Sequence, residues 1–260
     1  MTPPDERDLT DVYRRRIRLL TPEPGVVIGA LEDTAHHVRV TVISDAGQVV
    51  SVRGEAVRLP WVTCPGAVAG LATLDGTELT TSLRRLRGAY SASEHCTHLF
   101  DLAHLAIAHA ARGHRERLYE VVVSDREQPM PAYLFRDGVK TLEWRVELGS
   151  IVAPPQFAGV GLAGGFLSWC DANLDEEAAE AAFVLRRSAS MAAIAHMDFD
   201  AYPAAGEARL RPGVCFTAQP ERIAVALRNT GSQRDYATTA DGMHLGFDEA
   251  AERIRHRHGS

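Results

Sequence analysis

The sequence predicts an α+β protein, an antiparallel sheet built from hairpins with long helices packed on one face. Three observations carry this. Alternating, β-branched segments come in adjacent pairs joined by tight turns: Val38–Ser44 with Val49–Arg53 across Asp45-Ala46-Gly47, and Ala132–Phe135 with Val139–Val146 across Arg136-Asp137-Gly138. Helical runs opened by capping signals lie between and after these pairs. The chain of 260 residues is 45% hydrophobic and 24% charged, which suffices to bury a core without disulfide staples.

Taken in order, residues 1–24 carry Pro3, Pro4, Pro22 and Pro24 among many charges, and read as a flexible arm with one helical turn around Asp11 to Leu19. The first hairpin follows. Pro60, Pro65 and Gly66 then break the pattern; Pro65 predicts an extended Cys64 and a short helix over Gly66 to Ala72. Ser91-Ala92-Ser93-Glu94 is a capping box, and Leu99, Leu102, Ala103, Ala106 and Ala110 recur at helical spacing, so a helix is expected over about 92–112. Leu118–Val123 reads as a strand, ahead of the second hairpin. Asn173-Leu174-Asp175-Glu176 opens a further helix through about Ala195, with Asn173 as its cap, and Gln219-Pro220-Glu221 opens another that Gly231 ends. The organisation expected is an arm over 1–24, one α+β domain over 25–250 and a flexible tail over 251–260.

Composition narrows the function classes. A formal net charge of -6 argues against a broad nucleic-acid face. No uncharged stretch approaches the ~18 residues of a membrane span, and the charged first twenty residues hold no signal-peptide core. Cys64, Cys96, Cys170 and Cys215 show no paired spacing and read as reduced thiols, which predicts a cytoplasmic protein. There is no dinucleotide fingerprint, phosphate-binding loop or nucleophile elbow, so no nucleotide redox cofactor is expected. The basic runs Arg14-Arg15-Arg16-x-Arg18 and Arg84-Arg85-x-Arg87 read as solvated faces, the sharper alternative being a phosphate-bearing substrate.

Chemistry concentrates in His95-Cys96-Thr97-His98, in Cys64 and in His36-His37. Imidazole is the usual acid or base near neutral pH, which makes His98 a candidate. Cys96, expected in an early helical turn, could gain thiolate character from the free backbone N–H groups there. Cys64 sits in a proline-stiffened loop beside Trp61. His36 and His37 are the source of further groups, with Glu32 and Asp33 beside them as acid or base. The candidate catalytic set is therefore His98, Cys96, Cys64, His37 and His36. A divalent metal needs three or four converging donors and enters only as an alternative, because no metal-ligand spacing is present. Each of these residues also has a plain packing reading.

Two motifs support the same set. Cys96-Thr97-His98-Leu99 resembles the Gly-Cys-Thr-His-Leu motif of a bacterial family of unknown function, and Pro60-Trp61-Val62-Thr63-Cys64-Pro65 resembles that family's Pro-Tyr-x-x-Cys-Pro. The strand Val38–Ile43 with its Asp45-Ala46-Gly47 turn matches the family's early hairpin. The resemblance covers about residues 36–110; His95 replaces the motif glycine. It implies a pocket lined by Cys64, Cys96 and His98.

The expectation is an enzyme of small-molecule metabolism, acting on an acyl or aromatic compound, that uses His/Cys acid–base chemistry of the lyase or isomerase type, with thioester hydrolysis as a further possibility. The alternatives are a metal-dependent hydrolase or lyase, and a non-catalytic ligand-binding or assembly protein. A small-molecule substrate is the partner expected, with neither nucleic acid nor membrane, and a homodimer is the default assembly.

Overall fold

The computed structural model describes residues 5–91, 93–208 and 210–258. The α+β class holds: among the described residues, eight strands, with antiparallel hairpin pairing, are interleaved with helices. The chain divides into two compact units, each assembled from three segments. One comprises Ile17–Arg117, Asp198–Gln233 and His244–Ser260; the other comprises Met1–Arg16, Leu118–Met197 and Arg234–Met243.

The unit that begins at Ile17 carries β1 (Tyr13–Glu23, its first four residues belonging to the other unit), β2 (Val26–Asp33), β3 (His37–Asp45) and β4 (Gln48–Arg58), in the order β4-β3-β2-β1. The expected arm is thus largely a strand. Its arginines hid the pattern: Arg14 and Arg15 are buried, and the Arg14 guanidinium donates to the Leu9 and Thr238 carbonyls. β2 is buried along all eight residues, so it shows no alternation to read. At Gly29 of β2 an added Cβ would lie 3.1 Å from Leu102 Cδ1, from Leu19 Cδ2 and from Val40 Cγ2, so the glycine lets a helix sit directly on the strands. That helix is α2 (Thr97–Arg112), preceded by the short α1 (Leu83–Arg87). Residues 98 to 109 of α2 are all buried.

Helix α2 begins five residues later than its sequence signal. The Ser91 hydroxyl is engaged with Ser93 Oγ at 2.8 Å, and the Ser91 N–H donates to His95 Nδ1 at 2.9 Å, so the capping box never forms. Cys96 is the N-cap and makes no side-chain cap bond. Cys64 opens a 3-10 helix over Cys64–Leu74, with Thr63 at helical angles, instead of lying extended.

The other unit carries β5 (Glu116–Val123, from Leu118 onward), β6 (Met130–Arg136), β7 (Val139–Glu147) and β8 (Ser150–Ala153) in sequential order. Asp137 and Gly138, at φ 52 and 81, form the two-residue turn that the right-handed twist of the hairpin favours. Here α3 (Phe166–Asn173) precedes α4 (Glu176–Ala189), which packs on β6 and β7. The cap of α4 is Asp175, which accepts from Ala178 N at 2.7 Å; Asn173 is the last residue of α3. The helix expected from Gln219 to Gly231 is one turn, α5 (Pro220–Ile223). The expected tail is α6 (Phe247–His258), whose Phe247 and Ala251 pack with Leu20, Ile28 and Ala30. Ile28 and Ala30 alternate with Gly29, so α6 covers the strand face opposite α2. No helix among the described residues is long and apolar enough to cross a membrane.

Candidate functional site

The turn between β2 and β3 builds the site. Asp33 ends β2, and its Oδ1 accepts from the backbone N–H of Ala35 at 2.9 Å and of His36 at 2.8 Å. An aspartate that bonds its own backbone two and three residues on closes a tight turn, which brings the two strands into register. The same Oδ1 lies 3.0 Å from His36 Nδ1. The carboxylate therefore fixes both the loop and the imidazole ring, and leaves Nε2 as the ring's outward nitrogen.

His98, in the first turn of α2, reaches the same place from the helix. Its ring stacks on that of His36, centroids 3.7 Å apart at an interplanar angle of 22°. Asp33, His36 and His98 each offer a donor atom, and these three atoms lie within 4.8 Å of one another. All three residues are buried, Asp33 completely. Three donors, two imidazoles and one carboxylate, are the composition of metal centres that keep coordination positions open for water or substrate.

The other candidates divide. Cys96 stays with the site, its Sγ 3.9 Å from His98 Nδ1. Cys64 faces Thr217, which donates to its sulfur at 3.2 Å, and is not among the three converging residues. His37, the first residue of β3, meets partners other than those of His36. His37 Nδ1 stands 3.5 Å from Glu32 Oε2, its ring centroid lies 6.1 Å from that of His244, and its buried Nε2 reaches no hydrogen-bond partner among the described residues. Burial lowers its pKa, against the pull of Glu32.

The thiolate expectation for Cys96 is corrected. Burial pushes its thiol up to about 12, with the Cys64 thiol adding to the effect and the backbone N–H groups of Leu99 and His98 opposing it. Burial likewise pushes Cys64 up to about 11, against the Thr217 hydroxyl. A helix start lowers a thiol pKa where the sulfur stays solvated; here desolvation wins. His95 is a packing residue: its Nδ1 accepts from Ser91 N, and its Nε2 lies 2.9 Å from the Gly70 carbonyl, to which it donates.

Around the turn sits a buried ionic group that sequence reading missed. Arg58, the last residue of β4, pairs with Glu32 at 3.0 Å, and Glu32 Oε2 accepts from His244 N at 2.6 Å. Nothing local marks Arg58, because its partners arrive from segments far apart in sequence. Asp33 carried a signal: an acidic residue just before a short His-containing turn is an Asx-turn former.

No curated protein matches the chain significantly. Residues 10–112 match the model of a family described as a protein of unknown function, DUF2889, so the resemblance carried by the Cys-Pro and Cys-Thr-His-Leu motifs is to that family and lies in the N-terminal part of the chain.

Proposed function

We propose that the chain is a metal-dependent enzyme of small-molecule metabolism, of the hydrolase or lyase type, with Asp33, His36 and His98 as the metal ligands. The observation that carries this reading is the convergence of three donor atoms within 4.8 Å. A divalent ion would be held by Asp33, His36 and His98, one donor atom from each. Bound there, the ion supplies a Lewis acid and an activated water at neutral pH. The chain's own contribution is orientation and dryness. Asp33 holds the His36 ring by its Nδ1, and the buried setting strengthens every charge interaction at the site. With its proton held by burial, Cys96 lines the site as a small neutral group.

The test is elemental analysis of protein purified without an affinity tag, with cobalt(II) uptake followed by its visible spectrum. Wild type is expected to carry or take up about one ion per chain, and Asp33→Ala and His98→Ala to lose it while retaining the wild-type circular dichroism. Wild type that neither contains nor takes up zinc, iron, manganese or cobalt sinks the metal reading.

One observation favours a second reading. The 3.0 Å contact between Asp33 Oδ1 and His36 Nδ1 is also the orienting contact of an acid–base histidine. In that reading His36 and His98 exchange protons with the substrate without a metal, in a lyase or isomerase reaction, and catalysis survives exhaustive chelation.

A further inference from the structure

We infer that Arg58 is the positioning residue of this site: its guanidinium is the clamp that holds the Asp33–His36 turn in its ligand-presenting shape. The inference rests on the metal reading for its purpose, but its geometry stands by itself. Nη2 of Arg58 donates to the Asp33 carbonyl at 2.7 Å and to the His36 carbonyl at 3.3 Å, and Nη1 donates to the Thr34 carbonyl at 3.0 Å. Three carbonyls of one four-residue turn thus converge on a single side chain. The turn's carboxylate already serves the turn's own N–H groups, so Asp33 closes the loop from inside and Arg58 from outside.

Two more contacts fix the clamp. Nη1 also donates to the Ser232 carbonyl at 2.9 Å, and Nη2 to Glu32 Oε1 at 3.0 Å. Glu32 neutralises the guanidinium, and its second oxygen holds His244 N. Within the turn Arg58 meets the backbone carbonyls of Asp33, Thr34 and His36, so it acts through the backbone, not as a ligand. The strand ladder explains how it gets there. His37 pairs with Arg58 but Val38 pairs with Ala56, which leaves Val57 as an extra residue. Such a bulge re-aims the side chains beside it. Val57 is exposed and Arg58 is turned inward to 9% exposure.

Only a planar fork suits this position. The four N–H groups of the two Nη atoms, held in one plane, reach the carbonyls of Asp33, Thr34 and His36, a fourth from Ser232 and a carboxylate together, with Nη2 shared among three acceptors; a lysine ammonium offers three donors from one point. Arg58→Lys therefore keeps the charge opposite Glu32 and loses the clamp.

The experiment compares wild type with Arg58→Lys by two readouts. The first is amide hydrogen exchange in metal-free protein. Ala35 and His36, whose N–H groups bond Asp33, are expected to lose about tenfold or more of their protection, with Val40 and Val42 of β3 unchanged. The second is cobalt(II) affinity, expected to fall about 10- to 100-fold, the usual effect of removing a group that orients a ligand. Unchanged protection at Ala35 and His36 overturns the inference, and so does a loss spread evenly through β3, which would mark Arg58 as ordinary structural support. Cobalt affinity equal to that of wild type also overturns it. If wild type itself binds no cobalt, the metal reading fails separately, and the exchange readout alone decides Arg58.

Discussion

Acidification should destabilise this chain through His104, a residue of α2 six positions beyond His98 and not one of the candidate ligands. The ring is fully buried against Phe100, centroids 4.2 Å apart, with the Leu86 backbone as its polar neighbour. Burial pulls its pKa down from 6.5 to about 3, outweighing the favourable field of Asp101. The folded value is depressed, so the unfolded chain binds the proton first. Stability is fully present above about pH 6.5 and is lost as pH falls toward the folded value. Integrated from pH 7 to pH 5, one such group costs about 2 kcal/mol. Urea unfolding at both pH values, in wild type and His104→Leu, isolates this share. Leucine has nearly the volume of histidine and no proton to take up, so the variant is expected to lose about 2 kcal/mol less than wild type on acidification. Equal losses in the two proteins, within about 0.5 kcal/mol, would show that the ring is protonated in the folded state and refute the reasoning.

Gly70 and the thiols give two further tests. A Cβ on Gly70 would stand 2.5 Å from the Glu94 carbonyl oxygen and 3.0 Å from His95 Cδ2, so Gly70→Ala must move backbone just ahead of α2. We expect a cost of about 1–3 kcal/mol and a melting temperature several degrees lower by calorimetry, and an unchanged melting temperature would contradict the close approach. With its pKa raised from 9.0 to about 12, Cys96 holds about a thousandfold less thiolate than a free cysteine at neutral pH. Ellman's reagent at pH 7.5 should label it slowly in the folded protein and within seconds in denaturant; fast labelling of the folded protein would restore the thiolate reading.

Some of this fold is legible in the sequence because its determinants are local. Asp45-Ala46-Gly47 and Asp137-Gly138 specify their hairpins through backbone conformations open to few residues, and the acidic start of α4 complements its dipole. β1 and β2 are not legible for opposite reasons. β1 buries arginines, of which Arg14 reaches the distant Thr238 carbonyl as well as the nearby Leu9 carbonyl, and β2 is covered on both faces, which erases the alternation that marks a half-buried strand. The site shows the same division. His36 and His98 stand out as chemistry-bearing residues, and they do meet. Asp33 is visible only as a neighbouring charge, and Arg58 is not visible at all. For Cys96 nearness to a helix start was readable, although the start falls five residues beyond its signal; its burial was not, and burial decides the direction of the shift.

The clamp on Arg58 reaches into a stretch the family match does not include. Ser232 and His244, which complete the surroundings of Arg58 and Glu32, and Thr217, which faces Cys64, all follow residue 198. A fragment cut at residue 112 would keep every candidate ligand and Arg58 itself, and lose Ser232 and His244, which hold Arg58 and Glu32 in place. The matched segment is thus a sequence unit without being a folding unit. During synthesis its turn must wait for nearly the whole polypeptide before its bracing is complete, a closure at long sequence separation that places maturation of the site late in folding.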